Sequence, residues 1–348
     1  MSFARSADAE KVVPAGGYRR LNQRSFRRWL CCAAVLAWGA VVVGHSWAQT
    51  APAPDAQIPE VADDLDAIRA RALDLVNEAR QEQDLPPLVL EDKLNVAAQA
   101  HADDMHTRGY FDHLSPEGRT AQDRYVQAGG SKWLLISENI GRCIGCRPPR
   151  RIGILNRLQR DWMMSPEHRA NILRQGLTRF GFGMVIDDQK RLYAVQTFSG
   201  PGLPHGLRPD EEPAPLSAAD QAQQALQLFN QARAQSGGKP LEISPGLNRV
   251  ARILLPDRDL ENFSLESRQN LVPESESRNW QSISVLANEC GGCGAVPTAA
   301  DVRYFAQQWL ADPGDKQDLL DARVTHVGFV IATNGEGMKV ALAVLGLR

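Results

Sequence analysis

Apolar residues recur every three or four positions from Leu65 to Ala79, at Leu65, Ile68, Ala72, Leu75, Val76 and Ala79. That spacing gives a helix one face to bury. LPPLVLEDKL then predicts a turn into a second helix, from about Glu91 to Thr107, which Gly109 ends. A third helix is predicted from about Arg151 to Met164. Ser165 and Pro166 supply the cap and first-turn residues that open a short fourth. FGFGMVI and RLYAVQTF, rich in aromatic and β-branched residues and separated by residues 187–190, predict a closing β-hairpin.

The pattern occurs twice. LVNEAR at 75–80 returns as LFNQAR at 228–233, and Trp162 with its downstream TRFGFGMVI returns as Trp309 with THVGFVIAT. The offset is 153 residues at the front (75 to 228) and 147 at the back (162 to 309), so few residues separate the copies in length. With the first offset Leu90, Leu94 and Ala98 fall on Ile243, Leu247 and Ala251. With the second, Trp133, Ser137, Cys143 and Gly181 fall on Trp280, Ser284, Cys290 and Gly328. So long a period means two globular domains and not a solenoid. Helices come first and strands last in each, which predicts an α+β fold with an antiparallel sheet.

Composition changes this picture at the N-terminus only. Arg19, Arg20, Arg24, Arg27 and Arg28 precede an apolar run from Trp29 to Val43, and Ser46 and Ala48 are small residues at the −3 and −1 positions of a cleavage site. We read 1–48 as a signal peptide, with an uncleaved anchor as the alternative and the one route to a membrane. The expected location is exported, periplasmic or extracellular. Pro/Ala-rich 49–64 and Pro/Gly-rich 201–218 read as linkers flanking domains over 65–200 and 219–348. Net charge is −2 with no basic patch in the folded part, so nucleic acid is not an expected partner. The oligomeric state is not set by these patterns.

After export four cysteines remain, as Cys143 with Cys146 and Cys290 with Cys293, one C-x2-C at the same place in each copy. The spacing leaves three arrangements open: a disulfide within each pair, a four-thiolate zinc site joining the pairs, and a redox-active pair.

Three segments of the first copy combine ionisable side chains with turn chemistry. They are YFDHLSPEG with His113, ISENIG with Glu138 and WMMSPEHRANIL with His168. Two imidazoles and a carboxylate match a zinc or other divalent-cation site with an open position, and without metal a histidine beside a buried glutamate is an acid/base pair. His168 lies in the first turn of its helix, whose positive end disfavours a protonated ring. In the second copy the three positions hold Asn262, Val285 and Asp315, while Trp309 and the closing strands remain. A residue needed only for folding is expected to persist in both copies, so the loss of all three points to a site confined to the first. His101 and His106, five apart on one helix, lie on different sides and are not expected to share a metal. Met163, Met164, Trp162 and Trp309 are expected to pack.

FDHLSPEG, SENI, WMMSPEHRANIL and FGFGMVI with YAVQTFSG together resemble the CAP superfamily (cysteine-rich secretory protein, antigen 5, pathogenesis-related 1) in its bacterial SCP-like form, over residues 67–200. The resemblance implies two tandem α-β-α sandwich domains, the second degenerate, and a cleft where two histidines and two acids gather, in some members around a divalent metal. His113, Glu138 and His168 match three of the four. The second acid often stands three residues after the tryptophan, where this chain has Ser165, with Glu167 nearby as a substitute. Ser165, Glu167 and Asn139 are therefore expected around the ligand. The expected function is binding of a small ligand or cell-envelope component. The alternative is hydrolysis of an envelope polymer or peptide by His113, Glu138 and His168, and the sequence leaves enzyme and binder both open.

Overall fold

In the first copy the expected amphipathic segment is α1 (Leu65–Gln81), whose N-cap Asp64 accepts a hydrogen bond from Asp66 N. After it come β1 (Val89–Leu90), α2 (Asp92–Arg108), α3 (Ala121–Gln127), β2 (Leu135–Ile144), α4 (Arg151–Met164), α5 (Pro166–Ile172), β3 (Arg179–Ile186) and β4 (Arg191–Gly200). The second copy has α6 (Ala218–Gln235), β5 (Glu242–Ile243), α7 (Pro245–Leu254), α8 (Glu274–Ser277), β6 (Ser282–Cys290), α9 (Ala299–Ala311), α10 (Pro313–Leu320), β7 (Val324–Thr333) and β8 (Lys339–Leu347). This computed structural model describes residues 64–145, 151–256 and 258–347. The signal peptide read over 1–48, all but the last residue of the linker read over 49–64, and Cys146 lie outside the described residues.

Both sheets have the same topology, β1-β3-β4-β2 and β5-β7-β8-β6, with the short first strand parallel and the other pairs antiparallel. Strand alternation divides the faces. Leu192, Ala194 and Phe198 of β4 join the core under α1 and α4, and Tyr193 and Val195 join the core under α2. Each copy is thus a sheet between helical layers. The 147-residue offset is kept in register: Glu138 pairs opposite Thr197, and Val285 opposite Val344.

The structure explains why LVNEAR recurs. Asn77 closes a two-way bond with Leu88, donating Nδ2 to its carbonyl and accepting its N–H, and Asn230 does the same with Leu241. Arg80 is 1% exposed and donates to the carbonyls of Pro86, Ile172 and Arg174; Arg233, equally buried, donates to those of Lys239, Leu319 and Asp321. A buried guanidinium satisfied by loop carbonyls ties the first helix to the segment before β3 or β7. The glycines at 181 and 328 are also matched. A Cβ at either would lie closer than 3.0 Å to the helix backbone at Leu94 or Leu247, so only glycine lets α2 and α7 approach their sheets.

Three expectations are corrected. ISENIG is not a turn but the centre of β2, so strands do not all follow the helices; its polar residues face partners inside the fold and mask the apolar alternation. Ser165 is the N-cap of α5 but makes no side-chain capping bond, whereas Asp312, in the same place before α10, accepts from Gly314 N and Asp315 N. Met164 does not pack: it is 82% exposed.

Candidate functional site

Glu138 stands on the α2 face of β2, with its side chain 5% exposed. One carboxylate oxygen accepts from His113 Nδ1 at 2.8 Å, and the other from Arg124 Nη2 at 2.6 Å. Arg124, on α3, is itself buried and also donates to the carbonyls of His113 and Arg119, so it fixes both the carboxylate and the loop that carries His113. His101, on α2 and 0% exposed, brings Nε2 within 4.0 Å of the same carboxylate and donates it to Asp112 O at 3.0 Å. His113 is half-exposed, at 52%, so its ring joins the buried carboxylate to the surface.

The two faces of β2 are joined by a chain of amides. Asn139 is fully buried on the opposite face and donates Nδ2 to His168 O and to Gln196 Oε1. Asn171 donates to Glu138 O and Asn139 Oδ1, and Gln196 donates onward to Gln159. This chain clamps α5, and His168 with it, to the strand that carries Glu138. Asn139, expected around the ligand, is buried behind β2, where its amide holds His168 O and Gln196. Ser165 is partly buried and Glu167 exposed at the start of α5, where the Glu167 charge acts on His168.

The electrostatics separate the histidines. The hydrogen bond to Glu138 raises the His113 pKa above its ordinary 6.5. Burial lowers that of His168, and the nearby charge of His113 lowers it further against the opposing Glu167. The expected direction for His168 holds, but desolvation, not the helix end, is the main cause. Burial likewise lowers His101. The site thus combines one imidazole more basic than usual, His113, with two that are less basic, His101 and His168.

His113, Glu138 and His168 belong to one locality, but the expected three-ligand metal set does not form. Both oxygens of Glu138 are engaged, by Arg124 and His113, and among the described residues no group of three His, Cys, Asp or Glu side chains is disposed to hold a metal. The carboxylate orients the His113 ring from behind, the role of an outer-shell partner. Cys290 and Cys293 form a disulfide, which removes two of the four thiolates proposed for a zinc site; Cys143 is also disulfide-bonded. Sequence reasoning missed His101 and Arg124. The one signal for His101 was an ionisable residue on a helix face otherwise made of Leu94, Ala97, Ala98 and Met105; the polar sequence of α3 gave none for Arg124.

In the second copy Val285 replaces Glu138 in register, and Leu286, Ala306 and Ala343 stand where Asn139, Gln159 and Gln196 form the amide chain. Asp315, in the place of His168, is pushed up to about 6 by burial beside Asp312 and Asp318. Scaffold and site have therefore parted between the copies.

An α-β-α sandwich with a histidine–glutamate cluster on its central sheet is the class of protein that fold and site define. The family model described as CAP, the cysteine-rich secretory protein family, matches residues 73–198 and again 226–345, and the chain belongs to this family, with two copies of its domain. A Bacillus subtilis protein described as the uncharacterized protein YkwD is 33% identical over 119 residues, 34% of this chain and 43% of that protein. The chain thus spans less than half the length of this curated relative. Among solved structures, an extracellular SCP-domain protein from Bacillus anthracis is 28% identical over 38% of this chain and 40% of its own, with a TM-score of 0.32. Na-ASP-1 is 11% identical over 82% of this chain and 90% of its own, with a TM-score of 0.35.

Proposed function

We propose that the protein is exported and acts at the cell envelope, where the first copy binds a polar ligand through the outward face of His113 and the neighbouring His168. The second copy is a structural partner without a site of this kind. The observation that carries this reading is the full engagement of Glu138. A carboxylate already holding a guanidinium and an imidazole is a fixed anchor that orients His113 for recognition, with both oxygens engaged inside the fold. Among the described residues no hydroxyl or thiol is hydrogen-bonded to His113 or His168, so the nucleophile–base contact of covalent hydrolysis is also lacking. Family membership alone assigns no reaction.

The hydrolase reading has one support: His113 with Glu138 has the form of an acid/base dyad. Co-sedimentation with purified peptidoglycan, alongside release of soluble fragments from it, separates the two. Binding that His113→Ala/His168→Ala weakens, with no fragments released, is the expected result. Release that disappears in Glu138→Gln would establish the enzyme instead.

A further inference from the structure

A cavity of about 630 Å³ opens where the two copies and the segment joining them meet, and neither His113, Glu138 nor His168 lines it. Its charged lining comes from Lys132 and Arg174, with the His205 imidazole beside them and no carboxylate among the lining residues. Neither Lys132 nor Arg174 has an ion-pair partner among the described residues. Arg174 donates to Ser137 Oγ at 3.2 Å, the Lys132 ammonium sits 4.5 Å over the Trp133 ring, and His205 Nε2 meets Gly291 O at 3.3 Å. Glu289, exposed on β6 and outside the lining, is the carboxyl that senses Lys132, whose charge opposes the rise that desolvation gives it. Unpaired cations facing one hollow at a domain boundary create a positive field for an anion.

The remaining lining narrows the anion. Leu134, Leu135, Ile136 and Leu203 are an apolar wall that an inorganic ion would leave unused. Gln122, which donates to Ser131 O, and Gln175 present side-chain amides, groups that pair with peptide N–H and C=O. The far wall is the Gly291–Gly292 turn of the second copy, and it is rigidly held. Gly292 N donates to Trp133 O and Gly294 N to Pro201 O, both at 2.7 Å. Behind it the fully buried Lys339 Nζ donates to Cys293 O at 2.6 Å and to Asp301 Oδ2 at 2.7 Å. A preformed wall lowers the ordering penalty of binding.

We infer that this cleft is a second binding site, which takes the carboxylate end of a short peptide. Lys132 and Arg174 receive the carboxylate, the two glutamines bond the backbone, and the leucine wall takes an apolar side chain. The site is independent of the one built on Glu138, and it gives the second copy a use that its missing histidines do not.

The test is fluorescence anisotropy of the full chain with a labelled pentapeptide, Ala-Ala-Leu-Ala-Leu, bearing a free C-terminal carboxylate. Its C-terminal amide and inorganic phosphate serve as comparisons. The amide should bind about tenfold more weakly, and Lys132→Glu/Arg174→Glu should lose about a hundredfold in affinity, each lost charge-assisted bond being worth about tenfold. His113→Ala/His168→Ala should bind as the parent does, and phosphate should not compete. Melting temperature checks that the reversed-charge variant is folded, and Lys132→Gln/Arg174→Gln replaces it if it is not. Absence of peptide binding, equal binding of the amide, unchanged affinity in the cleft variant, or loss only in the histidine variant would each overturn the inference. Competition by phosphate would reduce the cleft to a simple anion site.

Discussion

Glu138→Gln changes one atom at the centre of the site, and its effect can be worked from the contacts. Arg124 and His113 both donate to the carboxylate, at 2.6 and 2.8 Å, and both side chains of the Arg124–Glu138 pair are under a tenth exposed. A glutamine accepts at one end only and turns an N–H toward a donor at the other. Removing one partner of a buried pair costs about 3–5 kcal/mol, and the surviving acceptor places this variant at about 3 kcal/mol. For a body of this size about 2–4 °C is lost per kcal/mol, so melting should fall by about 6–12 °C. Calorimetry measures that shift. Arg124→Leu/Glu138→Val, which puts at 138 the valine that the second copy has in register, should recover most of it, because it leaves no unpaired charge. The pH dependence adds an independent check. The raised pKa of His113 makes its contribution fully present below 6.5 and lost as pH rises through the folded value, and Glu138→Gln should abolish that slope. A fall of less than about 2 °C, or a double variant no better than the single, would refute the anchoring role of Glu138.

Burial lowers His101, so its contribution is present above 6.5 and lost as pH falls from there toward its folded value; His101→Gln should blunt the fall of the urea midpoint between about pH 7 and 5. Asn139→Leu leaves Asn171 and Gln196 with unmet partners in the interior and should cost about 1–3 kcal/mol per group, with faster hydrogen exchange in α5. Adding Gln159→Ala and Gln196→Ala, the residues of the second copy, should regain stability in urea titration while leaving α5 exchanging fast. Gly328→Ala drives a methyl against the backbone of Leu247 and should lower the urea midpoint by more than the usual overpacking penalty of about 1–3 kcal/mol.

Helix periodicity and the hairpin were legible because they repeat: the segment holding Asn77 and Arg80 could be recognised as structural before its bonds were seen. The order of the copies in space, and the amide chain behind Glu138, were not. Asn139 and Gln196 look like surface residues in a string of letters, since their burial depends on pairing across strands 57 residues apart. His101 and His106 lie five apart and so on different sides of one helix, which argues against a shared metal but says nothing of what each side meets. The hydrogen-bond partner of His101, Asp112 O, comes from the loop after the helix and the nearby Glu138 carboxylate from β2, and helical spacing holds no information about either. Ser165 misled in another way: the residue type fits a cap, yet the bond is made only in the second copy, where Asp312 has the longer reach.

Trp133 belongs by sequence to the first copy but lies 9% exposed among Leu247, Val250, Met338 and Leu342, core residues of the second. Removing residues 201–348 would bare this indole, and the second half alone would lack the acceptor of its Gly292 amide. A fragment ending at Gly200 should therefore be sticky and short-lived even though every residue of the histidine site is in it. The silent half is then a permanent cover, and losing its chemistry did not make it dispensable.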